Sequence, residues 1–404
     1  MTQERIVLLE NIHPGAKANL ESAGYAVELL PKSLPEPELI EKLEGAVAVG
    51  IRSKTQMTPA VIEATKGSLR AIGAFCIGTN QIDLEAAHAA GVPAFNAPFS
   101  NTRSVAELVM AEIVFLARRL GDRNTQMHQG AWKKSAAKAY EIRGKTLGII
   151  GYGHIGRQVG VLGEAFGLDV HFHDVVDVLP MGNNRRAASL DEVLSTSDFV
   201  TLHVPATPET AEMIGAAELS KMKKGSYLLN LSRGNVVVIS ALVDALKSGQ
   251  LEGAALDVYP EEPRANDDVF QTELAALENV ILTPHIGGST QEAQVAIGQE
   301  VSGKLIKYLG LGTTLGAVNF PQADLPLRAG CVRVQHVHDN VAGVLGDVHR
   351  IVAERGGNIL GQVLVTDPTI GYLLMDIEQS RAGAVLEQLE NLETTRHARI
   401  LNGA

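Results

Sequence analysis

The sequence predicts an α/β protein: two doubly wound parallel-sheet domains followed by a small C-terminal βαββαβ module. Three observations carry this prediction. Short, continuous apolar segments alternate with helical stretches, the pattern of parallel strands covered on both faces. A glycine-rich turn joins one of those strands directly to a helix. The last 74 residues change character, with longer strands separated by only two helical stretches.

In chain order, the first α/β unit reads strands at RIVLLE (5–10), AVAVG (46–50), LRAIGAF (69–75) and VPAFN (92–96). One long helical pattern follows, from about Ser104 to Gly130, with the acidic Glu107 in its first turn. A second unit has six strands: KTLGIIG (145–151), DVHFHD (169–174), FVTLHV (199–204), SYLLNLS (226–232), GAALDV (253–258) and VILTPH (280–285). Six strands with intervening helices match a doubly wound dinucleotide-binding sheet. The helix over 291–309 is expected to return and close the first unit, and 311–330, rich in Gly, Pro and Thr, reads as a linker. Beyond it come strand VRVQHVH, helix 341–355, strands ILGQVLV and GYLLMDIE, helix 382–392 and strand ARIL, a ferredoxin-like arrangement.

Composition narrows the function classes. The chain has 404 residues, a net charge of -11 and 45% hydrophobic residues. That charge repels polyanions, so neither nucleic acid nor an acidic membrane surface is an expected partner. No apolar run is long enough to span a bilayer, and the charged N-terminal stretch is not a signal peptide. Cys76 and Cys331 are too few for a disulfide framework, so a soluble cytoplasmic protein is expected. No metal site is expected.

The cofactor signal is Gly151-Tyr-Gly153-His-Ile-Gly156, preceded by the strand LGII and opening a helix. The glycines serve a tight turn, backbone approach to a pyrophosphate and close helix–sheet packing, while the free N–H groups of the helix start face the phosphates. Asp174, 18 residues past Gly156, ends the next strand. A carboxylate there accepts from the ribose hydroxyls and repels a 2′-phosphate, which favours NAD over NADP in a Rossmann domain.

Three polar residues stand at or just past strand ends, where α/β chemistry is expected: Arg233 after YLLNLS, Glu262 after LDVYP, and His285 closing VILTP. An arginine fork suits a substrate carboxylate, and a histidine suits proton transfer near neutral pH. A neighbouring carboxylate would raise the histidine's pKa and fix its orientation.

SRG (232–234), the EEP segment around Glu262, and TPHIGGST (283–290) resemble the Arg–Glu–His set of the D-2-hydroxyacid dehydrogenases. CIGTNQID (76–83), NAPFSNTRSVAELV (96–109), LGIIGYGHIG (147–156) and NFP (319–321) are similar to the serine-pathway branch of that family, and the likeness runs along nearly the whole chain. The resemblance implies that Arg233 holds substrate, Glu262 tunes His285, and His285 is the acid/base. It adds His154, Ile155, His203, Pro205 and Asp257 to the cofactor site. It implies 3-phosphoglycerate as substrate, held by Arg52, Ser53, Ile77, Gly78, Asn101 and Lys134. It also implies a split, flavodoxin-like substrate domain (1–97 and 287–318) around the NAD-binding Rossmann domain (98–286), with hydride transfer in the cleft between them.

The tail, 331–404, resembles an ACT regulatory domain, which in that branch pairs across subunits and binds serine through positions matching His338, Asn340 and Asn358. A homodimer or homotetramer is therefore expected. The family's Asn-Arg-Pro-Gly turn reads Asn340-Val341-Ala342-Gly343 here, so a rigid proline and a cation are missing and a weakened or absent serine response is expected. Two other readings stand beside this one: a D-2-hydroxyacid dehydrogenase for another substrate such as 2-hydroxyglutarate, and a non-catalytic sensor of NAD and an amino acid.

Overall fold

A computed structural model describes residues 3–263 and 268–401. Contacts divide the chain into two compact units, Met1–Ser100 with Gln294–Ala404, and Asn101–Ala293.

The first unit contains a five-stranded parallel sheet of β1 (Arg5–Leu8), β2 (Ala26–Leu29), β3 (Ala46–Ile51), β4 (Ala71–Ala74) and β5 (Ala94–Phe95), ordered β2-β1-β3-β4-β5. Every residue of β3 is buried, as a central strand covered on both faces requires. The direction of winding reverses between β1 and β3, so the crevice beyond their carboxyl ends is the place where such sheets bind ligands. Late residues close one face: Ile297, Val301, Leu305 and Tyr308, spaced three or four apart on the helix Gln291–Leu311, are buried in the same core as Ile6, Leu8 and Phe95.

The tail forms an antiparallel sheet of β13 (Cys331–Asp339), β14 (Ile359–Thr366), β15 (Ile370–Glu378) and β16 (Thr395–Leu401), ordered β14-β15-β13-β16. Alternate residues of β15 serve different cores. Leu373, Met375 and Ile377 pack with the helices Val344–Glu354 and Ala382–Glu390, whereas Ile370, Tyr372 and Leu374 join the core of the five-stranded sheet. Both faces are covered, so the strand reads as one apolar run. Polar groups on the shared side are paired. The Gln335 amide donates to Tyr308 Oη at 3.0 Å, and Arg333 makes a buried fork with Asp376 at 2.7 and 2.9 Å.

The second unit holds β6 (Thr146–Ile150), β7 (Asp169–His173), β8 (Arg185–Arg186), β9 (Phe199–Leu202), β10 (Ser226–Asn230), β11 (Leu251–Leu256) and β12 (Val280–Leu282), all parallel, in the order β12-β11-β10-β9-β6-β7-β8. The short edge strand β8 makes seven strands where the apolar pattern gives six; two arginines at an exposed edge leave no hydrophobic signal. The long helix expected over 104–130 is two helices, Thr102–Arg118 and Leu120–His128. Arg119 breaks it by taking a left-handed conformation (φ 51°), held by an ion pair to Asp122.

Candidate active site

The winding of the seven-stranded sheet reverses between β6 and β9, and the glycine turn follows β6 at that point. Its glycines have separable reasons. Gly151 lies at φ 91°, and a Cβ there would come within 2.3 Å of the His203 carbonyl oxygen. At Gly156 a Cβ would sit 2.2 Å from the Gly151 carbonyl oxygen. Gly153 has an ordinary φ of -77°, and a Cβ there would meet nothing within 4 Å. The protein's own packing therefore gives no reason for the middle glycine. An open backbone at the start of the helix His154–Ala165 fits the close approach of a pyrophosphate.

Around this turn, Asp174 lies just past β7 with its carboxylate accepting from Tyr152 N at 2.6 Å and Val176 N at 2.9 Å, which fixes it beside the glycines. His154 and Ile155 open the helix. Across the turn, desolvation pushes the His203 imidazole down to about 3, so the ring is neutral; its Nε2 meets Thr201 Oγ1 at 3.0 Å. Pro205 follows in an exposed loop.

The three side chains expected to carry the chemistry gather beyond β10, β11 and β12 in the same unit. His285 Nδ1 and Glu262 Oε2 are 2.7 Å apart. The hydrogen bond and charge of Glu262 raise the His285 pKa, against the desolvation and the Arg233 charge that would lower it. Burial would raise the Glu262 carboxyl, but His285, the Tyr259 N–H and Arg233 outweigh it and hold the group below the ordinary value. Arg233 thus acts on both partners from the loop after β10, where Asn230 caps its carbonyl at 2.9 Å. Gly234 beside it admits no Cβ, which would lie 1.9 Å from the Tyr259 carbonyl.

His285 itself sits at φ 53°, a left-handed conformation that costs a non-glycine residue on the order of 1–2 kcal/mol. Asp257, just past β11 and 1% exposed, supports that conformation. Its carboxylate accepts from Thr283 Oγ1 at 2.6 Å, Ile286 N at 2.8 Å and Gly287 N at 2.7 Å. Tyr259 adds a second tie, its hydroxyl reaching the carbonyls of Leu256 and Thr283 at 3.0 Å each.

The remaining candidates fall into separate groups. Arg52 and Ser53 follow β3, and Ile77 and Gly78 follow its neighbour β4, so these four share one carboxyl edge of the five-stranded sheet. Asn101 caps the helix Thr102–Arg118, buried, with Oδ1 lacking a hydrogen-bond partner among the described residues. Its Nδ2 would lie 2.2 Å from a Cβ at Gly288, so close packing accounts for that glycine. Lys134 is exposed in the stretch before β6.

In the tail, His338 is buried on β13 with its ring over Gly371, and Asn340 donates to the Asp367 carbonyl at 2.6 Å. Asn358 is not near them. The register pairs His338 with Gly371 but Val332 with Ile377, and Asn358 precedes Ile359, which also pairs with Ile377. Six rungs separate the two ends of the sheet, about 20 Å at the usual rise per residue.

Sequence reasoning missed Tyr259, the bracing role of Asp257, and Glu112. The last is 3% exposed on the helix Thr102–Arg118, with neither carboxyl oxygen partnered among the described residues. Desolvation, helped by the Asp257 charge, pushes it up to about 8. Its position three residues after Val109 and four before Leu116, on the buried stripe, was a legible signal.

The D-isomer specific 2-hydroxyacid dehydrogenase NAD-binding domain model matches residues 110–287, and an acetohydroxyacid-synthase-small-subunit-like ACT domain model matches 334–397. D-3-phosphoglycerate dehydrogenases of Escherichia coli (strain K12) and Dictyostelium discoideum are 50% and 49% identical, each covering 98% of this chain and 97% of its own length. The chain belongs to the D-3-phosphoglycerate dehydrogenase branch of the D-2-hydroxyacid dehydrogenases. Solved structures of the wider family share its fold. A D-lactate dehydrogenase of Aquifex aeolicus, with NAD and lactic acid bound, is 28% identical with a TM-score of 0.66, covering 79% of this chain and 100% of its own. An NAD-complexed 2-hydroxyacid dehydrogenase of Lactobacillus delbrueckii ssp. bulgaricus is 26% identical at the same score, covering 75% and 96%. A D-2-hydroxyacid dehydrogenase of this branch is an NAD-dependent oxidoreductase, and this one carries an ACT domain at its end. No helix among the described residues is long and apolar enough to cross a membrane.

Proposed function

We propose that the chain oxidises 3-phospho-D-glycerate at C2 to 3-phosphohydroxypyruvate, the opening step of serine synthesis by the phosphorylated route. The observation that carries the chemistry is the 2.7 Å contact between His285 Nδ1 and Glu262, which leaves Nε2 free for a substrate hydroxyl. Arg233 holds the substrate carboxylate as a fork. His285, neutral in this direction, takes the C2 hydroxyl proton through Nε2, and Glu262 stabilises the imidazolium that results. NAD, when bound, supplies the hydride acceptor for the hydrogen leaving C2. Asp257 and Tyr259 hold the loop that carries His285, so the histidine's orientation is set before substrate arrives.

The phosphate is assigned to Arg52 and Ser53, with Asn101 and Lys134, and the carboxylate also to the backbone of Ile77 and Gly78. The residues 1–97 with 287–318 are assigned as the substrate domain, 98–286 as the NAD-binding domain and 331–404 as the regulatory domain. For serine, the separation of Asn358 from His338 and Asn340 supports a site completed by a second copy of the chain, hence a homodimer or homotetramer. The two unpaired thiols, Cys76 and Cys331, fit a cytosolic enzyme.

The test is NADH formation at 340 nm with 3-phosphoglycerate, D-glycerate and D-2-hydroxyglutarate. The phosphorylated substrate is expected to lead in kcat/KM by about 100-fold or more. Arg52→Ala is expected to raise KM for 3-phosphoglycerate by about ten-fold or more, and far more than for D-glycerate. Equal kcat/KM across the panel, or a lead for the hydroxyglutarate, overturns the assignment.

A further inference from the structure

The crevice between β1 and β3 holds a polar arrangement that the reaction chemistry does not use. Glu10 lies two residues past the end of β1, 8% exposed, and its carboxylate collects three backbone N–H groups from the loop after β3. Oε1 accepts from Arg52 N at 3.2 Å and Thr55 N at 2.8 Å, and Oε2 accepts from Lys54 N at 3.0 Å. The Glu10 carbonyl also takes a long bond from Arg52 Nη1 at 3.4 Å. Glu10 and Asn11 both have left-handed backbones, φ 61° and 56°, a conformation that persists in non-glycine residues only where the surroundings enforce it.

Gln81, itself buried, fastens the neighbouring loop. Its amide nitrogen donates to the Arg52 carbonyl at 2.5 Å and to the Gly78 carbonyl at 3.3 Å. The loop after β3 and the loop after β4 are thereby joined through one side chain.

Backbone N–H groups converging at a winding reversal ordinarily form an anion site. Here three of the four N–H groups of Arg52–Thr55 are already taken by an internal carboxylate. The anionic end of a substrate is left with the Ser53 N–H, the Ser53 hydroxyl and the Arg52 guanidinium. We propose that Glu10, seconded by Gln81, is a positioning residue for phosphate recognition: it fixes the loop so that Arg52 and Ser53 face the substrate's phosphate. This rests on the assignment of Arg52 to the phosphate made above.

The experiment compares KM and kcat for 3-phosphoglycerate and D-glycerate in the full-length enzyme and in Glu10→Ala, Glu10→Gln, Arg52→Ala and the Glu10→Ala/Arg52→Ala double variant. Glu10→Ala is expected to raise KM for 3-phosphoglycerate about ten- to hundred-fold, with kcat and the KM values for NAD and D-glycerate within about two-fold. Glu10→Gln keeps the Oε1 acceptor for two of the three bonds and is expected to recover most of the loss. The double variant is expected to lose clearly less than the product of the two single losses, since Glu10 acts in part through Arg52. Equal losses with both substrates, or additive losses in the double variant, overturn the proposal. If Glu10→Ala does not fold, Glu10→Gln decides: a rise of about three-fold confined to 3-phosphoglycerate supports positioning, and no selective rise refutes it. Arg52→Ala separates the two layers. If it shows no selectivity for the phosphorylated substrate, the phosphate assignment itself has failed and this proposal falls with it.

Discussion

At the carboxyl edge of the seven-stranded sheet, Asp257 gathers three donors from the loop that presents His285. At the carboxyl edge of the five-stranded sheet, Glu10 gathers three donors from the loop that presents Arg52. The clamp is the same, a buried carboxylate satisfied by loop donors, but the groups it presents differ. The first loop offers an imidazole already bonded to Glu262, a pair able to move a proton. The second offers a guanidinium and a hydroxyl, groups suited to binding an anion rather than to moving a proton. In the proposed function, proton transfer and phosphate recognition are thus built on separate sheets with one structural device, while Arg233, beside the proton-moving pair, takes the carboxylate. Glu112 shows the other fate of a buried carboxyl group. With no donor among the described residues, it is pushed up to about 8 and stays protonated at neutral pH.

Removing the proton-moving group should have the largest effect. His285→Ala is expected to lower kcat by about 10²–10⁴-fold while the KM for NAD stays within about two-fold. A variant that kept its turnover would show that the proton leaves by another route.

The contrast between Glu112 and Asp257 is sharpened by stability against pH. A carboxyl group whose folded pKa is raised binds more protons folded than unfolded between the ordinary value and about 8. Stability therefore falls as pH climbs through that window, by about 1.4 kcal/mol per unit at most. Glu112→Gln cannot ionise, so its thermal midpoint should decline less than that of the native protein from pH 5 to 8, with activity at neutral pH nearly unchanged. Parallel curves would mean that Glu112 is charged in the folded protein.

The smallest effect concerns the His285–Glu262 pair. Oxidation needs neutral imidazole, and Glu262 raises its pKa, so kcat/KM for oxidation should rise with pH through that raised value. Glu262→Gln should move the midpoint of the rise toward about 6.5. An unmoved midpoint would assign the acid limb to another group.

What the sequence disclosed follows from where each signal is written. Strand–helix alternation and the Gly151–Gly156 spacing are local, and they sufficed for the sheets and the cofactor turn. The residues proposed to carry the chemistry were nameable because strand ends are legible. Their supports were not. Glu10 closes an apolar run and looks like its polar boundary, while its three donors lie 42 to 45 positions downstream. Asp257 reads as a ligand of the cofactor; that its carboxylate also accepts from the segment 283–287 is a relation set by the packing of β11 beside β12. The break at Arg119 carries no proline, and the distance between Asn358 and His338 depends on a pairing register that composition does not reveal.

The antiparallel tail shares its inner face with the first sheet, Tyr372 and Leu374 lying in one core with Ile6 and Leu8. Such a segment is not an interchangeable cassette. The Aquifex relative is spanned completely by 79% of this chain, so a relative about a fifth shorter exists. Trimming this enzyme to that length would strip oily surface bare on the portion left behind. A shortened version would need new polar residues along the exposed side before it could stay dissolved, which ties the gain or loss of such an appendage to compensating change in its host.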